Sequence, residues 1–507
     1  MTHEPDPGLL RLAFEATAPP RTLRRERTWQ VRGAATARVA ALRSALAPAD
    51  EPEGVVYLAP PPTVDLEAQR IGLAGLFEII AAALARATVP ALTVATFGAR
   101  PGSGASDPVT AAYLGIVRVL GRDHPELRAR LVDLDSGDPD WVAALVGELD
   151  ADDDEDLVLI RQGVRFTGRW HRHRLGVAEP LELPGAGTYL VAVPDSLAQR
   201  AVAALTARGA PNPVVLTNTP DRAGAARPDG RIVAADPADR AGLERALTGI
   251  RRELPPIRGV VYAPASPPEP TLRSPEARDL AAALVSVRRA VVNLDELTRA
   301  DDIDLFVLLG SPDSMTATAG AVAIDSCLDR LAADRAAAGP TAVSMPSALV
   351  GSGPGFDAAL RCGEPVIGCR GVDIRQWFDT YPATAALGSF RRLRTRPQAP
   401  GPVASDLPRV LAELPTRERT ALILNKIREL AADVLGLSPE SIDDETPLEQ
   451  LGMDSMQGLR LRGQLERLVG MRLAVTLLWT YGSPRALAEA LDLRLRERTD
   501  PVPRRVP

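Results

Sequence analysis

Two kinds of apolar spacing alternate along the segment from about residue 187 to residue 395. Short continuous apolar runs, typical of buried strands, are followed by stretches in which apolar residues recur at helical spacing. The strand-like runs are 188–193, 214–216, 231–236, 259–263 and 304–310, and the helix-like stretches are 197–208, 237–253, 278–298 and 319–338. Repeated strand–helix units of this kind predict an α/β domain with a doubly wound parallel sheet.

Towards the C-terminus the pattern changes to that of helices alone. Apolar residues at helical spacing begin near Thr416, and the sequence Gly-Leu-Ser-Pro at 436–439 ends this helix. A long acidic loop at 440–450 leads to a second predicted helix, which opens near Ser455. A short apolar run at 473–479 precedes a last helix, which opens at Ser483 with proline in its first turn.

The loop-to-helix junction at 451–456 reads Leu-Gly-Met-Asp-Ser-Met. Asp454 and Ser455 are residue types favoured at helix N-termini. A serine hydroxyl at such a position is exposed, and the helix N-terminus favours an attached phosphate. The motif alone leaves two interpretations open, an attachment site for a phosphopantetheine arm or an ordinary helix cap.

With its flanks, the segment from roughly Thr416 to Leu495 resembles an acyl carrier domain of a modular polyketide synthase. The resemblance implies a small four-helix bundle in which Ser455 carries phosphopantetheine, with Asp454 and Gly452 belonging to the same motif. It also implies loading by a phosphopantetheinyl transferase, with coenzyme A as the donor.

The helix after Ser455 departs from this family in its charge. Such carriers often have an acidic residue about one turn after the serine, whereas this chain has Arg460, followed by Arg462 and Arg467. A basic face is either a solvated surface or a docking surface for partners that are unusually acidic there. Met456, Arg460 and Arg462 are therefore the candidate docking residues.

Motifs in the α/β segment resemble the ketoreductase domain of a modular polyketide synthase. They lie at 187–190, 207–210, 239–240, 254–261, 293–298 and 306–309. The resemblance implies a Rossmann sheet of the short-chain dehydrogenase type, preceded by a truncated, non-catalytic Rossmann-like half. Segments 107–115, 124–127 and 130–135 resemble that preceding half.

The predicted organisation is therefore two Rossmann-like halves followed by a small helical bundle. The predicted parts are a structural subdomain (1–180), a degenerate catalytic subdomain (181–395), a proline-rich linker (396–414), a carrier domain (415–495) and a disordered tail (496–507).

The turn after the first strand of the second half lacks the residues that hold a dinucleotide. Reductases of this kind place glycines there, because only glycine lets the backbone approach the pyrophosphate. Residues 192–199 contain no glycine. They include Pro194, which has no N–H to donate, and Asp195, an anion where phosphate would bind.

The catalytic side chains that the resemblance implies are also missing. The family uses a tyrosine as general acid together with a serine and a lysine. The only lysine of this chain, Lys426, lies in the carrier segment, and no tyrosine lies between residues 262 and 381. Ala321 occupies the tyrosine position, Asp325 stands where an asparagine is usual, and Ser311 corresponds to the serine. Without its proton donor, the serine cannot protonate a carbonyl oxygen, so we predict no catalytic residues and no NADPH requirement.

Composition and charge exclude several other classes. With 507 residues the chain is too long for one core, and its net charge of -6 argues against general nucleic-acid binding. It has no apolar run long enough to span a membrane and no signal peptide, and its three cysteines offer no disulfide framework, which predicts a cytoplasmic protein.

His171 and His173 have no ligand-spaced partners, so we predict no metal site. The acidic run 152–156 is interpreted as a solvated turn.

These patterns predict a polyketide synthase subunit that carries acyl or polyketide chains as a thioester on the Ser455 arm. Its pseudo-ketoreductase serves as a scaffold for partner docking, and a ketosynthase and an acyltransferase act in trans. One alternative is a residual reductase or epimerase that acts on its own tethered chain. The other is a scaffold whose carrier domain is also inactive.

Overall fold

A computed structural model of the chain describes most of its residues. The described residues are 9–20, 28–33, 36–46, 52–62, 66–86, 88–100, 108–135, 137–175, 179, 181–183, 185–218, 231–265, 277–339, 342–351, 353–370, 372–394, 415–435, 439–448, 450–451, 453, 458, 461–462, 464–465, 468 and 481–499. They form two compact units. The larger contains Met1–Ile374 and Tyr381–Arg394, and the smaller contains Arg375–Thr380 and Thr395–Pro507.

The larger unit is built on two β-sheets. Its strands are β1 (Leu9–Ala16), β2 (Trp29–Gly33), β3 (Gly54–Leu58), β4 (Ala91–Phe97), β5 (Arg130–Leu134), β6 (Leu157–Arg161), β7 (Val164–His173), β8 (Thr188–Ala192), β9 (Asn212–Thr217), β10 (Arg231–Ala234), β11 (Ile257–Tyr262), β12 (Leu305–Gly310), β13 (Val343–Pro346) and β14 (Cys369–Arg370). The first sheet has the order β14-β1-β7-β6-β5-β4-β3-β2, and the second has the order β10-β9-β8-β11-β12-β13.

Helices cover these sheets and form the smaller unit. The described helices are α1 (Ala37–Ala45), α2 (Leu66–Leu84), α3 (Ala112–Asp123), α4 (Trp141–Leu149), α5 (Asp195–Thr206), α6 (Arg240–Glu253), α7 (Ala277–Leu297), α8 (Ala319–Ala337), α9 (Pro354–Arg361), α10 (Ile374–Thr380), α11 (Thr416–Leu435) and α12 (Pro484–Thr499).

Every strand pair of the second sheet is parallel. β8 lies inside the sheet, with β9 and β10 to one side and β11, β12 and β13 to the other, as in a doubly wound Rossmann sheet. All residues of β8 are buried, as expected for a parallel strand with helices over both faces. The predicted fold class is confirmed, and the five predicted strands and four predicted helices of this half are all present.

The first sheet is mixed. β2 to β6 are parallel to one another, whereas β7 runs antiparallel to both β6 and β1. β14 belongs to the second half in sequence, yet it pairs with β1 of the first half through Leu9–Arg370 and Leu10–Cys369. The two halves therefore share a sheet edge in addition to packing side by side.

Helix α3 of the first half and helix α8 of the second half pack closely. A Cβ atom on Gly115 would lie 2.4 Å from the carbonyl oxygen of Val322. Buried side chains on both helices, including Tyr113 and Leu120 on α3 and Cys327 on α8, belong to one continuous hydrophobic core. Since that core draws on both sheets, each half buries apolar surface against the other.

The interpretation of the acidic run 152–156 as a solvated turn is wrong for two of its residues. Glu155 and Asp156 are only 5% and 7% exposed. Glu155 receives two hydrogen bonds, of 2.6 and 2.7 Å, from the Arg169 guanidinium. Asp156 accepts hydrogen bonds from the backbone N–H and the hydroxyl of Ser389, at 2.8 and 2.7 Å. The run therefore anchors the segment Gly388–Leu393.

The smaller unit contains the helices of the predicted carrier domain. α11 packs against α12, and their apolar faces form a core that includes Ile423, Ile427 and Leu491. Arg419 on α11 pairs with Asp492 on α12 at 3.0 Å. The described residues 458, 461–462, 464–465 and 468 are helical, in agreement with the helix predicted after Ser455. No described helix is long and apolar enough to cross a membrane.

Candidate functional site

The turn between β8 and α5 is where a Rossmann sheet receives the phosphates of a dinucleotide. Pro194 is the N-cap residue of α5, and its carbonyl oxygen accepts from the N–H groups of Leu197 and Ala198 at 2.8 and 3.1 Å. Asp195 is exposed in the first turn. Without a glycine, and with a carboxylate at the helix N-terminus, this turn does not fit a pyrophosphate group.

The catalytic positions predicted from the sequence lie at the carboxyl end of β12 and in the first turns of α8. Thr318 caps α8, and its hydroxyl oxygen accepts from the N–H of Ala321 at 3.4 Å. The Ala321 methyl group cannot donate a proton to a carbonyl oxygen. The structure thus places Ala321, the residue predicted at the tyrosine position, in the first turn of α8.

One turn further along α8, the Asp325 carboxylate is directed at the end of β12. It accepts hydrogen bonds from the backbone N–H of Ser311 at 2.8 Å and from the Ser311 hydroxyl at 3.1 Å. The Ser314 hydroxyl donates to its other oxygen. Burial raises the pKa of Asp325, and these hydrogen bonds oppose that rise. The sequence-predicted Ser311 and Asp325 are thus brought together, and the serine proton is directed towards the aspartate.

Two further charged residues, which no sequence pattern singles out, lie behind this pair. Asp329, one turn further along α8, accepts from the Ser344 hydroxyl at 2.7 Å, and burial raises its pKa to about 6. Arg118 on α3 lines a cavity together with Ser311, Asp325 and Asp329. Neither residue belongs to a motif, and only the packing of α3 on α8 brings them together.

The predicted attachment site lies mostly outside the described residues. Gly452, Asp454, Ser455, Met456 and Arg460 are among the residues for which no structure is described. On either side of Ser455 in sequence, Met453 and Gly458 are buried, and the N–H of Met453 donates to the carbonyl oxygen of Leu448 at 3.0 Å.

Arg462 is not part of an exposed basic face. Its side chain is 1% exposed, and it donates a hydrogen bond to the Thr380 hydroxyl at 3.3 Å within the smaller unit. The prediction of Arg462 as a docking residue is therefore wrong in this structure. A charge at helical spacing is exposed only where no neighbouring segment covers it, and the sequence pattern did not reveal that covering segment.

Models of three known families match successive segments of the chain. A model of the Rossmann-fold domain of the polyketide synthase extender module SpnB matches residues 12–170. A model of the KR domain matches residues 187–351. A model of the phosphopantetheine attachment site matches residues 425–491, which include the Gly-Met-Asp-Ser motif.

Curated relatives are similar over most of this chain. Erythronolide synthase EryA3 of Saccharopolyspora erythraea is 31% identical over 428 residues, covering 77% of this chain and 13% of that protein. Pikromycin polyketide synthase component PikAIII of Streptomyces venezuelae is 27% identical over 455 residues, covering 78% of this chain and 29% of that protein. The chain thus spans less than a third of the length of either relative.

Solved structures share the fold. An A1-type ketoreductase aligns with a TM-score of 0.60 at 22% identity, covering 75% of this chain and 97% of that one. A C2-type ketoreductase from a modular polyketide synthase aligns with a TM-score of 0.60 at 20% identity, covering 76% and 99%. The chain therefore belongs to the modular type I polyketide synthases, of which it contains a ketoreductase domain followed by a carrier domain for covalently attached phosphopantetheine.

Proposed function

We propose that this chain carries acyl or polyketide intermediates as thioesters on a phosphopantetheine arm at Ser455, beside a ketoreductase domain that no longer reduces them. The Gly452–Ser455 motif lies within the matched attachment-site segment, which supports Ser455 as the modified residue. When bound, the arm supplies a thiol that holds the chain as a thioester. Met453, the second residue of this motif, is buried in the carrier core and ties the motif to the bundle.

The loss of reduction rests on the residues at the catalytic edge. Ala321 has no acidic proton, no lysine occurs in the ketoreductase domain, and the β8–α5 turn has a carboxylate in place of glycines. The hydroxyl of Ser311 is engaged with Asp325. NADPH is accordingly not a cofactor in this proposal, and the domain acts as a scaffold on which partner domains dock.

The ketosynthase and acyltransferase act from outside this sequence in the proposed function. The three matched segments leave no stretch in it large enough for either enzyme. Tethering raises the effective concentration of the thioester near a docked partner. The partners therefore include a ketosynthase, an acyltransferase and the phosphopantetheinyl transferase that loads the arm from coenzyme A.

The decisive experiment measures the intact mass of the full chain after incubation with coenzyme A and a broad-specificity phosphopantetheinyl transferase. We expect one added phosphopantetheine on the wild type and none on Ser455→Ala. Ser483→Ala is the matched control, because Ser483 also begins a helix of the carrier domain and its hydroxyl oxygen accepts from the N–H of Ala486 at 3.4 Å. Loss of the added mass in Ser483→Ala alone would refute the assignment to Ser455.

Titration with NADPH, followed by nucleotide fluorescence, tests the alternative of a residual reductase. The proposed function predicts no saturable binding to the full chain. Saturable binding together with oxidation of NADPH by a β-ketoacyl thioester would replace the scaffold with an enzyme. Exchange of the α-hydrogen of an acyl thioester with deuterated solvent, absent with buffer alone, would instead indicate an epimerase.

A further inference from the structure

A cavity of about 360 Å³ lies within the larger unit, between its two halves. The carboxyl ends of β12 and β13 form one side, and β1, α3 and β7 contribute the other. Its lining combines apolar and charged side chains, among them Leu12, Leu114, Arg118, Trp170, Asp329 and Met345. The volume is within the range of small-molecule sites, and cavities at the carboxyl ends of parallel strands are where α/β proteins bind ligands.

Arg118 is the notable charge of this cavity. Its guanidinium carbon lies 4.6 Å from the centre of the Trp170 ring. Across the part of the chain that the structure describes, no side chain forms a hydrogen bond or salt bridge with it. Burial lowers the pKa of Arg118, yet an arginine stays charged in proteins. Its planar donors therefore face a cavity without an anionic partner in contact.

The other charged groups around the cavity have partners of their own. Among the arginines, Arg11 pairs with Glu364 and Arg330 pairs with Asp334, both at 2.8 Å, and the Arg100 guanidinium lies 5.0 Å from the centre of the Phe14 ring. Among the carboxylates, Asp325 accepts hydrogen bonds from Ser311 and Ser314, and Asp329 accepts one from Ser344. The Cys369 thiol contacts the carbonyl oxygen of Leu10. Among the described arginines that line the cavity, Arg118 is therefore the one whose N–H groups have no hydrogen-bond or salt-bridge partner and can receive an anion.

The Asp329 carboxyl is a second polar group of the cavity, and its protonation state changes with pH. With a pKa of about 6, caused first by burial, its carboxyl is protonated in mildly acidic solution. In that state it is a hydrogen-bond donor, and the cavity gains net positive charge from Arg118 and Arg100. Above that pH the Asp329 carboxylate, with Asp325 beside it, repels an incoming anion.

We propose that this cavity binds a small carboxylate, with the Arg118 guanidinium as its ion-pair partner and the Asp329 carboxyl as an adjacent donor. A single arginine fork matches the two oxygens of a carboxylate. Leu12, Leu114 and Met345 offer an apolar wall for a short hydrocarbon chain. Binding goes beyond the carrier function and does not depend on modification of Ser455.

Isothermal titration of the full chain with propionate at pH 5.5 and pH 7.5 tests the inference. We expect saturable binding with a lower dissociation constant at pH 5.5 than at pH 7.5. Above the Asp329 pKa the dissociation constant should rise by up to about tenfold for each pH unit. Arg118→Gln should weaken binding about tenfold or more, since hydrogen bonds between charged groups are the strong ones. Arg240→Gln is the matched control, because this half-exposed arginine pairs with Glu296 and does not line the cavity.

Asp329→Asn keeps the proposal testable if Arg118→Gln unfolds. The asparagine amide mimics the protonated carboxyl, so this variant should bind propionate at pH 7.5 about as tightly as the wild type does at pH 5.5. The proposal is overturned if the wild type shows no saturable binding at pH 5.5, or if Asp329→Asn keeps the pH dependence. Inorganic phosphate binding as tightly as propionate would overturn the assignment to carboxylates.

Discussion

Replacing Gly115 by alanine should destabilise the ketoreductase domain by separating its two halves. An ideal Cβ atom at this position would lie 2.4 Å from the carbonyl oxygen of Val322 and 2.8 Å from the Cα atom of Ala323. Ordinary contacts between carbon and carbonyl oxygen are about 3.3–3.6 Å. Helix α8 would therefore have to move by about 1 Å, and the atoms in the way belong to backbone, which cannot rotate aside.

Two terms of opposite sign set the magnitude. Overpacking a core contact costs about 1–3 kcal/mol, and we take the upper part of that range because backbone must shift. Alanine is favoured over glycine inside a helix by about 1 kcal/mol. We therefore expect Gly115→Ala to lower the free energy of unfolding of this domain by about 1–2 kcal/mol.

The matched control is Gly249→Ala in α6, where nothing lies within 4 Å of the added methyl group. Here only the helix propensity changes, and we expect a gain of about 0.5–1 kcal/mol. Urea unfolding of both full-chain variants, with the domain transition followed by tryptophan fluorescence, measures the difference. The close-packing argument fails if Gly115→Ala is as stable as Gly249→Ala.

Two further predictions concern buried charge. Burial raises the folded-state pKa of Asp329 to about 6 from an ordinary 3.8, so its protonated form is preferred in the folded state. Its contribution to stability is full below about pH 4 and is lost as the pH rises to about 6, a loss of about 2–3 kcal/mol. Urea midpoints should therefore show Asp329→Asn gaining on the wild type between pH 4 and pH 7, and a constant difference would contradict this. Glu155→Gln should cost about 3–5 kcal/mol because it leaves the Arg169 charge buried, whereas Glu253→Gln, which breaks the exposed pair with Arg231, should cost less than about 1 kcal/mol. Equal unfolding free energies for these two variants would refute the role of Glu155.

The second half of the ketoreductase domain was predictable because its signals are local. Continuous apolar runs mark β8 and β12, and helical spacing marks α7 and α8. β13, with only four residues, was missed, since so short a run has no distinct period.

The sharing of a sheet between the two halves could not be predicted in the same way. β14 has two residues, and it pairs with β1 from the opposite end of the domain. Likewise, the acidic run 152–156 has the local pattern of a solvated turn. The partners that bury Glu155 and Asp156 are distant in sequence, since they come from β7 and from Ser389. Burial of a charge depends on such distant partners, and no local pattern records them.

At the predicted catalytic positions, the absence of residue types was predictable from the sequence, whereas the hydrogen bonds of the residues present were not. The sequence alone excludes a lysine and a tyrosine at these positions, but it does not show where the remaining Ser311 proton goes. In the structure Asp325 accepts from both the N–H and the hydroxyl of Ser311. An asparagine amide could offer both a donor and an acceptor at this place, whereas a carboxylate only accepts.

The described side-chain hydrogen bonds of Asp325 therefore stay within the group formed by Ser311, Ser314 and Asp325. The Ser311 and Ser314 hydroxyls satisfy the buried carboxylate, which would otherwise cost several kcal/mol of desolvation. Meanwhile Gly115 of α3 packs on the backbone of Val322 and Ala323 of α8, and buried apolar residues of both helices belong to the same core. The packing of the two halves therefore depends on apolar and backbone contacts, whereas Ser311, Ser314 and Asp325 are held by hydrogen bonds among themselves.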